Sequence, residues 1–197
     1  MLDKKHARLL SFFIGSFGYL VPRPSNEYVK ISKTMYPFLL GQRNIHYFYD
    51  LEKSLYGIRA TMEVLKKIIA DGGKVLFISN SHIFQPRFVL EGNLNSMKWK
   101  RGSLAKSKGA DLVFLSGVQK ENLVEAHRKC LLLVGVGSST MSKISYPLNI
   151  NVNSPLLSDW LFGALYTTCV QGTRISKEEK AIPSLLGKGK SKKKNEI

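Results

Sequence analysis

The sequence predicts an α/β fold built on a doubly wound parallel sheet. Three observations point there: short apolar runs suited to strands covered on both faces, an amphipathic helical stripe between the first two of them, and a return of the same alternation later in the chain. Asn44 to Tyr49 is rich in β-branched and aromatic residues and reads as the first strand. Asp50 stands where a helix N-cap is wanted, with Glu52 close behind at the positive end of the dipole. Leu51, Leu55, Ile58, Met62, Leu65 and Ile69 then recur at spacings of four and three, one stripe of a helix. Gly72 and Gly73 can take the left-handed backbone that ends it. Val75 to Ile78 is a continuous apolar run, the next strand, and the three elements make a βαβ unit.

Further on, Asp111 to Leu115 reads as a buried strand and Gln119 to Lys129 as a polar helix with Leu123 and Ala126 facing inward. Leu131 to Val136 is a third apolar run, ending in Gly137. Tyr146 to Ile150 fits a short edge strand, because Pro147 cannot donate to a central ladder. Ser154 suits an N-cap and Pro155 a first helical position. Leu156, Leu157, Trp160, Leu161, Ala164, Leu165 and Thr168 mark one face of that helix, with Gly172 closing it. Strands separated by helices imply right-handed crossovers and a flavodoxin-like arrangement with helices on both faces.

With 197 residues the chain makes one domain with arms and can bury a real core. The expected organisation is a basic N-terminal arm over 1–43, an α/β domain over 44–172 that includes an irregular basic segment at 82–108, and a basic, flexible tail over 173–197. In the tail, lysines interleaved with Gly and Ser bury too little apolar surface to offset ordering. The apolar run Leu9 to Leu20 follows Lys4, Lys5 and Arg8 in the manner of a targeting peptide. Asp3, the lack of a small-residue cleavage site, and Gly15 and Gly18 favour an arm or a short first helix instead. No apolar run reaches the length of a membrane span. Cys130 and Cys169 lie far apart among apolar neighbours and read as two buried thiols in a reducing compartment.

Nothing in the chain spells a catalytic set or a metal site. His6, His46, His82 and His127 are dispersed, no pair of Cys or His has ligand spacing, and no nucleophile elbow or His-Glu-x-x-His occurs. Asp50 and Asp111 fall at element ends, where capping and turn roles account for them. Gly135 and Gly137 follow a strand, but position 140 is Thr, so a phosphate-cradling Gly-x-Gly-x-x-Gly is incomplete. A small nucleotide-binding enzyme using the loop after residue 136 is the alternative reading, and a peripheral membrane protein using the basic tail a third. The leading expectation has no cofactor, no small-molecule substrate and no membrane.

Charge carries that expectation. A formal net charge of +16 and a pI near 9.9 favour a polyanionic partner. Lysine and arginine neutralise phosphates and release counterions. The candidate RNA-binding residues are Lys30, Lys33 and Arg43 in the arm, Arg87, Lys98, Lys100, Arg101, Lys106 and Lys108 in the middle segment, and Arg174, Lys188, Lys190, Lys192, Lys193 and Lys194 in the tail. Tyr28, Tyr36, Phe38, Phe84, Phe88 and Trp99 lie among them as rings that can stack on bases, although Trp99 is expected to pack on the body and Trp160 to be core.

One family has a matching order of motifs. Met35 to His46, MYPFLLGQRNIH, followed by Asp50-Leu51-Glu52-Lys53-Ser54, resembles the first signature of the small-subunit ribosomal protein S-two family. Asp71 to Phe77 is similar to a later block, Trp99 with Gly102-Ser103-Leu104 to its Trp-Leu-Gly-Gly-Thr-Leu segment, and Asp111 to Phe114 to a later strand, with Glu125 and Ala126 in the helix beyond. The resemblance implies a structural constituent of the small ribosomal subunit that binds ribosomal RNA and neighbouring ribosomal proteins. Departures are also clear. Only Ala105 to Lys108 separates Leu104 from Gly109, where bacterial members carry a long helical hairpin. Ser79-Asn80-Ser81 and Ser138-Ser139-Thr140 replace two further motifs, and the leader lacks a Gly-x-His-Phe-Gly-His run. Such erosion beside lysine-rich ends suggests an organellar form, mitochondrial first and plastid second.

Overall fold

The computed structural model describes residues 4–22, 31–79, 94–106, 109–117, 120–137 and 144–188. The chain begins with α1 (Lys4–Gly15), and a 3-10 turn at Lys33–Phe38 leads into β1 (Leu39–Arg43) and β2 (His46–Tyr49). Then follow α2 (Leu51–Ala70), β3 (Val75–Ser79), β4 (Leu94–Met97), α3 (Ser103–Lys106), β5 (Leu112–Ser116), α4 (Lys120–Arg128), β6 (Leu132–Val136), β7 (Tyr146–Leu148) and α5 (Pro155–Lys188). Five strands pair in parallel in the order β4-β3-β5-β6-β7. The fold is therefore α/β, with a parallel sheet flanked by helices, as the alternation of apolar runs and amphipathic stripes requires.

Successive residues of a strand point to opposite faces, so each central strand feeds two cores. Val75 and Phe77 of β3 join Leu112 and Phe114 of β5 in a cluster covered by α1, α2 and α5. The Phe77 and Phe114 rings stack there with centroids 4.8 Å apart. Leu76 and Ile78 join Val113 and Leu115 in a second cluster, covered by α3, α4 and the 3-10 turn through Leu104, Leu123, Ala126 and Met35. Strands buried on both faces can be apolar throughout, which is why β3 and β5 appear in the sequence as unbroken runs.

Several sequence expectations hold residue by residue. Asp50 caps α2, its Oδ1 accepting from the Glu52 and Lys53 amides at 3.1 and 3.3 Å. Leu55, Ile58, Leu65 and Ile69 are buried along α2, and Gly72 follows it at φ +82°. The Asp111 carboxylate accepts from the Lys74 amide at 2.8 Å, which ties the start of β5 to the start of β3. Pro147 sits in the edge strand β7.

Other expectations need correction. Asn44 to Tyr49 does not supply a strand to the main sheet. Asn44 takes a left-handed backbone at φ +55°, the chain reverses over Asn44 and Ile45, and β1 and β2 close as an antiparallel hairpin. The other edge of β2 is taken as well, since the Val21 amide donates to the Tyr47 carbonyl at 3.1 Å and the Tyr49 amide to the Tyr19 carbonyl at 2.7 Å. Residues 4–15 take the second of the two forms expected of them, a short first helix, and it is packed on the body: Phe13 is buried and meets Trp160 edge-on at 5.1 Å, and a guanidinium nitrogen of Arg59 lies 3.2 Å from His6 Nδ1. Met35, in the same expected arm, is core.

Gly172 does not end its helix, because α5 runs on to Lys188 and takes in the first part of the expected tail. A Cβ at Gly172 would fall 2.9 Å from Ile69 Cβ and 3.0 Å from the Lys66 carbonyl oxygen, so this glycine permits close crossing of α5 and α2. Leu156 is 65% exposed in the first turn of α5, off the buried face formed by Leu157, Leu161 and Leu165. Trp160 is half-buried rather than fully interior. Cys169 is buried, but Cys130 is exposed, set in the turn after α4 at φ +53°. The irregular basic segment contains β4 and α3, while residues 82–93 lie outside the described residues.

Candidate nucleic-acid interface

Among the described residues, the clearest concentration of candidate cations lies between β4 and α3. Lys98, Lys100 and Arg101 are exposed, and Trp99 between them is half-buried against the second core cluster. The alternation follows from chain geometry: a segment leaving a strand points neighbouring residues to opposite sides, so anchoring the indole sends Lys98 and Lys100 outward. Gly102 then turns the chain at φ +83°, and the Ser103 amide donates to the Lys100 carbonyl at 2.8 Å. Leu104, without exposed surface, pins the start of α3 into the core. The Gly102 amide donates to Glu125 Oε1 at 2.6 Å, joining the turn to α4. Arg101 and Arg128 line one cleft of about 250 Å³ together with Glu121, Val124 and Glu125.

The other described candidates are spread over other elements. Lys33 is exposed in the 3-10 turn and Arg43 is exposed at the end of β1. Arg174 is exposed on α5, in the helical layer that covers the opposite face of the sheet from α3 and α4. Lys188 is the last residue of α5, and Lys106 the last of α3. Lys30, Arg87, Lys108, Lys190, Lys192, Lys193 and Lys194 lie outside the described residues, as do Tyr28, Phe84 and Phe88. Of the remaining rings, Tyr36 is 54% exposed, open enough to stack, and Phe38 is half-buried. His46 is exposed on β2 and His127 is half-buried on α4. Arg128 is a cation that the sequence reading passed over. Its place in the last turn of a recognisable helix was legible, but its proximity to Arg101 depends on tertiary packing.

Gly137, at the start of the loop that could suggest a phosphate cradle, has a packing explanation. A Cβ at Gly137 would lie 2.6 Å from Val152 Cγ2 and 2.9 Å from the Ile150 carbonyl, so protein, not ligand space, fills the position beside this glycine. Residues 138–143 of the loop lie outside the described residues. Burial pushes the Cys169 thiol up to about 12, and it raises the Tyr49 phenol beyond its ordinary value. Both groups therefore stay neutral and unreactive near neutral pH. A groove of about 760 Å³ runs between α1 and the β1–β2 hairpin, mostly apolar, with Arg43, Asp50 and Glu52 at its border. Among the described residues no three His, Cys, Asp or Glu side chains come together as a metal site, and no helix is long and apolar enough to cross a membrane.

No family model matches the chain. A 62-residue stretch, 32% of the chain, is 37% identical to the small ribosomal subunit protein uS2 of Borreliella afzelii (strain PKo). Over the same length the chain is 36% identical to the uS2 proteins of Borreliella burgdorferi (strain ATCC 35210) and Borrelia garinii subsp. bavariensis. Each match covers 21% of the relative, so the chain is aligned with about a fifth of the length of these curated proteins.

Proposed function

We propose that this chain is a ribosomal protein of the small subunit, related to uS2, that docks on ribosomal RNA and on neighbouring ribosomal proteins as a scaffold without catalysing a reaction. The observation that carries the reading is the 62-residue similarity to uS2 proteins. The charge of +16 supports it, because a surface this basic associates with polyanions. The Lys98–Arg101 turn supports it too: a rigid anchor, Trp99 and Leu104, holds three exposed cations where phosphates can reach them. The body would position the cations and the RNA backbone would supply the counter-charge. The short Ala105 to Lys108 connection, where bacterial members of the family carry a helical hairpin, favours an organellar ribosome, mitochondrial first and plastid second.

The test is filter binding of the purified chain to a small-subunit ribosomal RNA transcript across a salt series, with sedimentation of native extract beside it. The expected result is affinity that falls steeply as salt rises, with a slope of roughly 0.7–0.9 per phosphate neutralised, and co-migration with small ribosomal particles. Affinity indifferent to salt, or a chain that sediments alone, would refute the proposal.

A further inference from the structure

We infer that Glu125 is the positioning residue of the Lys98–Arg101 turn, its carboxylate fastening the turn's backbone to α4 so that the three cations are held in one phosphate-facing arrangement. The inference rests on the RNA-binding reading above and names the device by which that surface is set.

The chain is poor in acids, 14 against 30 lysines and arginines, and Glu125 lines a cleft together with Arg101 and Arg128. Oε1 accepts the Gly102 amide at 2.6 Å, a short contact of the charge-assisted kind. Oε2 is shielded from solvent with no partner, and so are two donors of the turn segment, Trp99 Nε1 and Ser103 Oγ. A buried polar group left unmet is costly, so these three groups do not hold the turn, and the Gly102–Glu125 bond is what ties it to α4.

Gly102 shows that the backbone itself is shaped for this contact. Its φ of +83° is strained for any residue with a Cβ, yet nothing lies within 4 Å of where that Cβ would be. The glycine is required by conformation and not by crowding. Trp99 and Leu104 fix where the turn sits, and the Gly102–Glu125 bond joins it to α4. Side chains already ordered before binding lose less freedom on meeting a ligand, so a fastened turn binds phosphates more tightly than a loose one carrying the same charges.

The experiment is a mutant cycle on the full chain, with filter binding to the small-subunit RNA transcript at fixed salt and a temperature well below unfolding. Glu125→Ala should weaken binding by about tenfold, the order expected when several side chains must be ordered at the moment of contact. Glu125→Gln, whose amide oxygen still accepts from Gly102, should recover most of that loss. In a background of Lys98→Gln, Lys100→Gln and Arg101→Gln, Glu125→Ala should cost nothing further, because no cations remain for it to place. Gly102→Ala leaves Glu125 intact and should show the same tenfold loss and the same disappearance in that background. It therefore carries the test if Glu125→Ala does not fold. Unchanged affinity in Glu125→Ala or Gly102→Ala, or an equal loss in both backgrounds, overturns the inference while the RNA-binding reading stands. Failure of the unmodified chain to bind the transcript overturns both.

Discussion

On α5, Gly172→Ala should destabilise the protein while Gly163→Ala stabilises it. Both glycines occupy the interior of the same helix, so each alanine gains the same ~0.5–1 kcal/mol of helix preference. The difference is space. An added Cβ at Gly163 meets nothing within 4 Å, whereas at Gly172 it falls 2.9 Å from Ile69 Cβ and 3.0 Å from the Lys66 carbonyl oxygen. Neither neighbour is the tip of a flexible side chain, so α2 and α5 must part by a few tenths of an ångström. That disturbs the cluster to which Ile69, Leu165 and Cys169 belong. Forcing extra volume into such a contact costs about 1–3 kcal/mol. Gly172→Ala should therefore lie about 1–3 kcal/mol below Gly163→Ala, and at or below the unmodified chain. Urea unfolding of the three proteins, compared by midpoint at constant slope, reads this directly. Equal upward shifts in both variants would refute the close helix crossing.

Four further outcomes are expected. Asp50→Ala removes the acceptor for the Glu52 and Lys53 amides and should cost ~0.5–2 kcal/mol in urea unfolding, with Asp50→Asn retaining most of the stability; no loss would show that the cap is idle. Phe13→Ala should cost about 3–5 kcal/mol and speed amide exchange across α1, and if only exchange changes, the helix is a loosely attached arm. In the folded chain Cys130 should react with a maleimide while Cys169 does not, and equal labelling would contradict their burial. Because the Cys169 thiol is raised in the folded state, its contribution is intact below its ordinary value of 9.0. Stability should then fall as pH climbs toward about 12, by up to roughly 1.4 kcal/mol per unit, and less steeply in Cys169→Ala.

Much of the fold was legible because its signals are local. The Asp50 cap, the stripe from Leu51 to Ile69 and the glycines after it all fall within one helix and its ends. Strands β3, β5 and β6, buried between two layers, appear as short apolar runs that need no partner to be recognised. What escaped depends on pairing at a distance. Residues 46–49 suit a hairpin or a parallel sheet equally well, and what decides between them is the left-handed backbone of Asn44, which residue type alone does not reveal. Gly172 was ambiguous because the same missing Cβ that lets a helix stop also lets two helices touch. Cys130 shares apolar neighbours with β6, yet the backbone turn that precedes the strand leaves it outside. In the candidate interface, the alternation of Trp99 with its flanking cations could be read from sequence. The bond between Gly102 and Glu125 spans 23 positions and could not.

The placement of Pro147 bears on how the chain behaves before it meets any partner. An outermost strand with a full row of free amides is a template on which a second molecule can grow a ladder. In β7 one of those amides is missing by chemistry, and α2 lies against the strand, with the Pro147 carbonyl 3.3 Å from the point where a Cβ on Gly57 would stand. That border of the sheet is blunted, so newly made copies should resist stacking edge to edge at that side.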